Sequence, residues 1–187
     1  MFKVTTAVTT EPVTSVEAKA HLNVIGTGDD TLIASLISAA REFGEHYTGR
    51  ALAPQTIEMA LDTFPDWDGP ILLDRPPVAT ISSVKYTDTS GVEQTIAGAN
   101  YALSLYGDSR KLSCTYGVTW PLTREIPDAV RIRYVTGYTT LPTAGKNAML
   151  LLIGHLYEHR EGVSEIKADE VPMGIRSLFD TIKIWGK

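Results

Sequence analysis

The hydrophobic pattern changes period twice along the chain, from helical to strand-like at about Arg50 and back to helical after Tyr138. In the first part Ser15 can cap a short helix through Leu22, and Glu17 stands in its first turn, where a carboxylate meets the positive end of the helix dipole. Gly26 and Gly28 break this helix, and Asp29 or Asp30 caps a second one. There Leu32, Ile33, Leu36, Ile37, Ala40, Phe43 and Tyr47 return at three- and four-residue spacing, with Leu36 the expected core residue and Gly49 the stop.

From Ala51 to Tyr138 the period is two, and Thr, Val, Ile and Tyr are punctuated by Pro and Gly. The alternation predicts strands over Thr56–Leu61, Ile71–Leu73, Ile81–Asp88, Gln94–Ile96, Tyr101–Leu105, Lys111–Cys114 and Ala129–Val135. Asp88, Ser90 and Gly91 between alternating runs signal a hairpin within Val84–Ile96. Trp120, Pro121 and Pro127 belong to an irregular segment before the last strand.

After Tyr138, Met149, Leu152, Ile153, Leu156 and Tyr157 mark a helix to about His159, with Thr143 as its cap. A polar stretch, Gly162 to Glu170, precedes a short helix within Gly174–Ile184. The simplest architecture is α+β: one domain, 1–187, in which helical parts at 15–50 and 143–185 pack together as a bundle and an antiparallel β-rich lobe, 51–138, is inserted between them. The helix Asp30–Tyr47 should then pack on the helix Lys146–Arg160.

Composition narrows the function. A net charge of -5, with no long block of like charge, argues against a chain that grips nucleic acid by its phosphates. Cys114 is the one cysteine, so neither an intramolecular disulfide nor a cysteine-rich zinc knuckle can form. The N-terminal residues lack the apolar core of a signal peptide, and the longest apolar run, from Ala148, is too short to span a bilayer; the chain reads as an intracellular product without membrane contact.

Candidate chemistry is sparse. His155-Leu156-Tyr157-Glu158-His159 matches H-x-x-E-H, a pattern that can hold zinc on one helix face with the glutamate as general base of a hydrolase. A catalytic site wants a third ligand, and Glu161, Glu165, Asp169 and Glu170 lie in or near the polar loop without supporting spacing, so the pair reads instead as the polar edge of an apolar helix. Carboxylate pairs have structural explanations: Asp29/Asp30 as caps, Glu42/Glu45 on a solvated face, Asp66/Asp68 in a turn around Trp67. Cys114 reads as a small packing residue, and no phosphate-cradling glycine loop occurs. Arg131 and Arg133 share a strand face in the most basic part of the chain; from Asp74 to Lys146 eight positive residues stand against six acids, too small an excess for DNA binding and consistent with a solvated face or a subunit contact.

Several stretches, in order, are similar to the head-tail connector (adaptor) proteins of tailed bacteriophages and gene-transfer particles. They are Asp30–Arg50 (DTLIASLISAAREFGEHYTGR) with Pro54-Gln55-Thr56, Leu73–Asp88 (LDRPPVATISSVKYTD), Gly117–Pro121 (GVTWP), Val130–Tyr138 (VRIRYVTGY), Leu151–Glu161 (LLIGHLYEHRE), Val171-Pro172 and Ser177-Leu178. Asp74 departs from the less polar residue common at that position, and the N-terminal 15 residues match nothing in the family. The resemblance implies a structural virion protein without cofactor or catalytic residues. Such a protein forms a ring, expected to be dodecameric, under the portal protein, and meets a tail-side stopper or tail terminator. DNA passes through without sequence-specific binding. Its expected place is the head-tail interface of the virion, reached from the host cytoplasm. A zinc-dependent hydrolase and a soluble monomeric binding module are the alternatives. The resemblance also suggests that the C-terminal segment docks at the portal, through the apolar residues Ile175, Leu178, Phe179, Ile182 and Trp185; the competing reading folds the same face back on the chain's own helices.

Overall fold

The computed structural model describes residues 1–66, 69–104, 110–159 and 172–185. In chain order its elements are β1 (Phe2–Thr6), α1 (Ser15–Leu22), α2 (Asp30–Thr48), β2 (Gln55–Leu61), β3 (Ile71–Leu72), β4 (Val78–Thr87), β5 (Glu93–Ile96), β6 (Tyr101–Leu103), β7 (Lys111–Cys114), β8 (Val130–Thr136), α3 (Thr143–Glu158) and α4 (Met173–Asp180). The chain divides into a sheet unit, Met1–Thr9 with Pro54–Tyr138, and a helical unit, Thr10–Ala53 with Thr139–Lys187. The class is the expected α+β, with an antiparallel lobe between N- and C-terminal helices.

The sheet unit holds a five-stranded antiparallel sheet in the order β1-β2-β8-β4-β5 and a three-stranded one in the order β3-β7-β6. Strand alternation explains the sidedness. In β8, Val130, Ile132, Tyr134 and Thr136 are buried while Arg131 and Arg133 face solvent. The inward side chains join Ile57, Met59, Phe64, Leu73, Val84, Leu112 and Trp120 in one core, with Cys114 packed at its edge. Within it the Tyr134 hydroxyl donates to the Asp74 carbonyl at 2.9 Å, and burial pushes the phenol pKa up. The hairpin is present: Asp88 Oδ1 accepts from the backbone N–H groups of Ser90 and Val92, each at 2.9 Å, and Gly91 supplies the left-handed position at φ +87°.

Strand β1 was not legible in the pattern. It pairs antiparallel with β2, Lys3 opposite Glu58, but residues 3–6 are exposed, so no alternating apolar face announces it.

In the helical unit the cap of α1 is Thr14 rather than Ser15. Its Oγ1 accepts from the Glu17 N–H at 3.2 Å, and Glu17 Oε2 accepts from the Thr14 N–H at 3.0 Å, a reciprocal capping box that Ser15, one residue inside, cannot make. The buried stripe of α2 is Ile33, Ile37, Ala40, Gly44 and Thr48. Leu36, the expected core residue, is only half-buried, because a rotation of 100° per residue leaves it about 80° from the middle of that stripe. The stripe packs on α3, whose Gly145, Ala148, Met149, Leu152 and Ile153 are buried, as the pattern requires. Helix α3 opens at Thr143 with Pro142 at the cap position, so Thr143 starts the helix without capping it.

Two carboxylate pairs need correction. Asp29 occupies the N-cap position of α2 but makes no capping bond; its Oδ2 accepts from the Tyr157 hydroxyl, and Asp30 pairs with Lys19 at 2.7 Å. Glu42 is exposed, yet Glu45 is buried: Oε1 accepts from the Leu52 N–H at 3.0 Å and Oε2 meets Arg41 at 3.3 Å, while Arg41 also pairs with Glu11 at 2.9 Å. The chain after Gly49 turns back beside α2 and covers what would otherwise be a solvated face. Of the third pair, Asp66 is exposed; Trp67 and Asp68 lie outside the described residues, as does the polar stretch Gly162–Glu170.

Candidate functional site

The C-terminal segment combines core and surface. Pro172 stands at the cap of α4, which runs to Asp180, short of the expected Ile184. Ile175, Phe179 and Ile182 are buried, Phe179 completely. Its ring meets those of Phe43 and Tyr47, each at 6.2 Å between centroids, and closes on Gly44, where an added Cβ would stand 2.8 Å from Phe179 Cε1. Polar bonds fasten the same segment to α2: the Tyr47 hydroxyl donates to Asp180 at 2.9 Å, the Ile184 N–H to the Thr48 carbonyl at 3.0 Å, and Arg50 Nε to the Ile182 carbonyl. Burial raises the Tyr47 pKa, and the bond to Asp180 adds to it. Three of the five portal-docking candidates are therefore core of the helical unit. Leu178 is half-buried, and Trp185 is 69% exposed with the Lys183 ammonium 5.0 Å from its ring centre. Met173, which sequence reasoning passed over, is also exposed.

The histidines of the H-x-x-E-H stretch lie close, with ring centres 4.6 Å apart, and His159 Nδ1 is 2.9 Å from the His155 carbonyl oxygen. Among the described residues no group of three His, Cys, Asp or Glu side chains is placed to hold a metal ion. Glu161, Glu165, Asp169 and Glu170 lie outside the described residues.

The outer face of the five-stranded sheet carries its charge in paired form. Lys3 and Arg133 flank Glu58 at 2.8 and 2.9 Å, following the register Lys3, Glu58, Arg133 across three strands. Lys85 meets Glu93 at 2.8 Å, and Arg131 bonds the other oxygen of the same carboxylate. Hydrogen bonds from Lys3 to Glu58, and from Lys85 to Glu93, hold both carboxyl pKa values below the ordinary range. Four cations thus surround two carboxylates, which halves the positive charge of this face.

Residues 16–104 match the family of phage gp6-like head-tail connector proteins. That stretch is similar to the connector family over a little less than half of the chain, and together with the neck structures it supports a structural connector role. The whole fold is similar to that of solved neck proteins. It superposes on a chain from the neck of an empty gene transfer agent (GTA) particle, computed with C6 symmetry, at a TM-score of 0.81 and 24% identity. A chain of the native GTA virion gives 0.78 and 26%, and one from the native GTA neck, computed with C12 symmetry, gives 0.78 and 25%. In all three the similarity covers 100% of this connector and 97% of the other chain. No curated protein sequence matches it.

Proposed function

We propose that this chain is a ring-forming adaptor of the virion neck, seated beneath the portal protein, with a stopper or tail terminator on its tail side. The observation that carries the reading is the end-to-end similarity, at 26% identity, to a chain of a gene transfer agent virion. Neck structures computed with C6 and C12 symmetry support a ring, and a closed ring needs two different complementary patches on each subunit. Its work is structural rather than catalytic, and it reaches the head-tail interface from the host cytoplasm. The prepaired cations of the sheet face suit a ring that DNA traverses, since a guanidinium held by glutamate gives a passing phosphate little net attraction.

Portal docking is assigned to the C-terminal segment. Ile175, Phe179 and Ile182 hold that segment in place, and Leu178 and Trp185, with Met173, make the contact. Co-sedimentation with portal rings tests this. The parent should bind, and a Leu178→Ser/Trp185→Ala variant with an unchanged melt should lose portal binding. Parent-like binding by that variant would move the docking surface elsewhere, and a parent that never binds portal would remove the adaptor reading itself.

A further inference from the structure

Beyond β2 and ahead of β8, residues 62–66, 120–123 and 125–127 line an open cleft of about 650 Å³ in the sheet unit, while the Arg124 side chain lies against Gly91. Its floor is aromatic: the Phe64 and Trp120 rings stack with centroids 4.8 Å apart and planes 2° from parallel. The Trp120 indole N–H donates to the Gly69 carbonyl at 3.3 Å, which fixes the ring plane. Above this floor Leu122 stands 82% exposed. The rim is acidic. Asp62, Asp66 and Glu125 are all exposed, and no Lys, Arg or His lies among the described lining residues. Asp62 already accepts from the Asp128 N–H at 3.0 Å, and Asp66 and Glu125 are the other two carboxylates that line the cleft.

These features select an occupant by chemistry. A volume within the ~300–1,000 Å³ range of binding sites, with a rigid apolar floor, favours a short run of side chains over a flat surface contact. An acidic rim repels nucleic-acid phosphate and attracts lysine or arginine. A leucine left in water beside packed aromatics gains by being covered. We infer that the cleft docks an extended segment of the tail-side neck protein, one that carries Lys or Arg beside aliphatic or aromatic side chains. The inference rests on the adaptor reading, in which the helical unit meets the portal and a second surface must meet the tail. The floor anchors the apolar side chains, and the rim sets the charge preference and speeds encounter.

The test joins DNA-filled heads to purified tails, scored by electron microscopy. Heads are loaded with rings of the parent, of Asp66→Lys/Glu125→Lys, or of Leu122→Ser, all changes at exposed positions. Rings of both variants should sediment with heads as the parent does, and their joining should fall by about tenfold or more. Raised salt should weaken joining of the parent more than that of the charge-reversed variant. Joining at the parental level by both variants would overturn the proposal. So would variant rings that no longer assemble on heads, because the cleft would then be a contact between copies. A parent ring that fails to bind heads would instead remove the adaptor reading.

Discussion

Glu45, near the C-terminal end of α2, accepts the backbone N–H of Leu52 at 3.0 Å and so ties the chain leaving the helix back onto the helix itself. Both residues are buried, so the bond has no ready replacement from water. Glu45→Ala should destabilise the helical unit by about 1–3 kcal/mol, the cost of an unpaired buried donor, whereas Glu45→Gln, which keeps an amide oxygen for Leu52, should cost less. Chemical denaturation of the two variants checks the order; equal losses would mean that the Leu52 bond is not the main contribution.

Gly44→Ala sets two effects against each other. Alanine gains ~1 kcal/mol in helix propensity over glycine. The added Cβ would stand 2.7 Å from Leu52 Cδ1 and 2.8 Å from Phe179 Cε1, and overpacking of a core costs about 1–3 kcal/mol. Leu52 can shift a methyl group, but the wholly buried Phe179 ring cannot yield as easily, so a net loss is expected. A higher melting temperature for the variant would show that α4 can move aside.

The bonds that Glu17 accepts from Lys146 and from its capping partner Thr14 should be visible in acid. Hydrogen bonds from Lys146 and Thr14 lower the Glu17 pKa to about 2 in the folded chain. A depressed carboxyl pKa contributes stability that is complete above the unfolded value, near 4.5, and disappears as pH falls toward 2. Glu17→Gln should therefore lower stability at pH 7 and flatten the loss between pH 4.5 and 2. Parallel melting curves for parent and variant across that window would contradict the assignment.

Ile37→Ala should cost about 2–5 kcal/mol, since Ile37 lies on the middle of the buried stripe, and Leu36→Ala should cost clearly less because Leu36 is half-buried. Thermal melts of the two neighbours decide it, and the reverse order would mean that the helix is rotated from the described position.

What the sequence made legible was what neighbours in the chain decide. The β4–β5 hairpin needs only Asp88, Ser90 and Gly91 to define its turn, and the pattern found it. Strand β1 depends on a partner more than fifty residues away and buries almost nothing, so no local signal exists. Glu45 looked solvated because helical spacing cannot anticipate the returning segment that covers it. The α4 face shows the same limit at the candidate site. Its amphipathy was plain, but amphipathy does not say whether a face is covered by the chain's own α2 or by another protein; the contacts of Phe179 with Phe43 and Tyr47 decide that for most of it, and Trp185 is left outside.

Each unit is assembled from two separated lengths of chain, and this sets an order during synthesis. Every strand has left the ribosome once Tyr138 has emerged, so the sheet unit can fold while translation continues. Helices α1 and α2, made earlier, wait through that whole interval with Ile33, Ile37 and Ala40 uncovered, because α3 and Phe179 are still to come. The nascent chain thus exposes the apolar stripe of α2 throughout the synthesis of the sheet unit, an interval in which a chaperone could shield it.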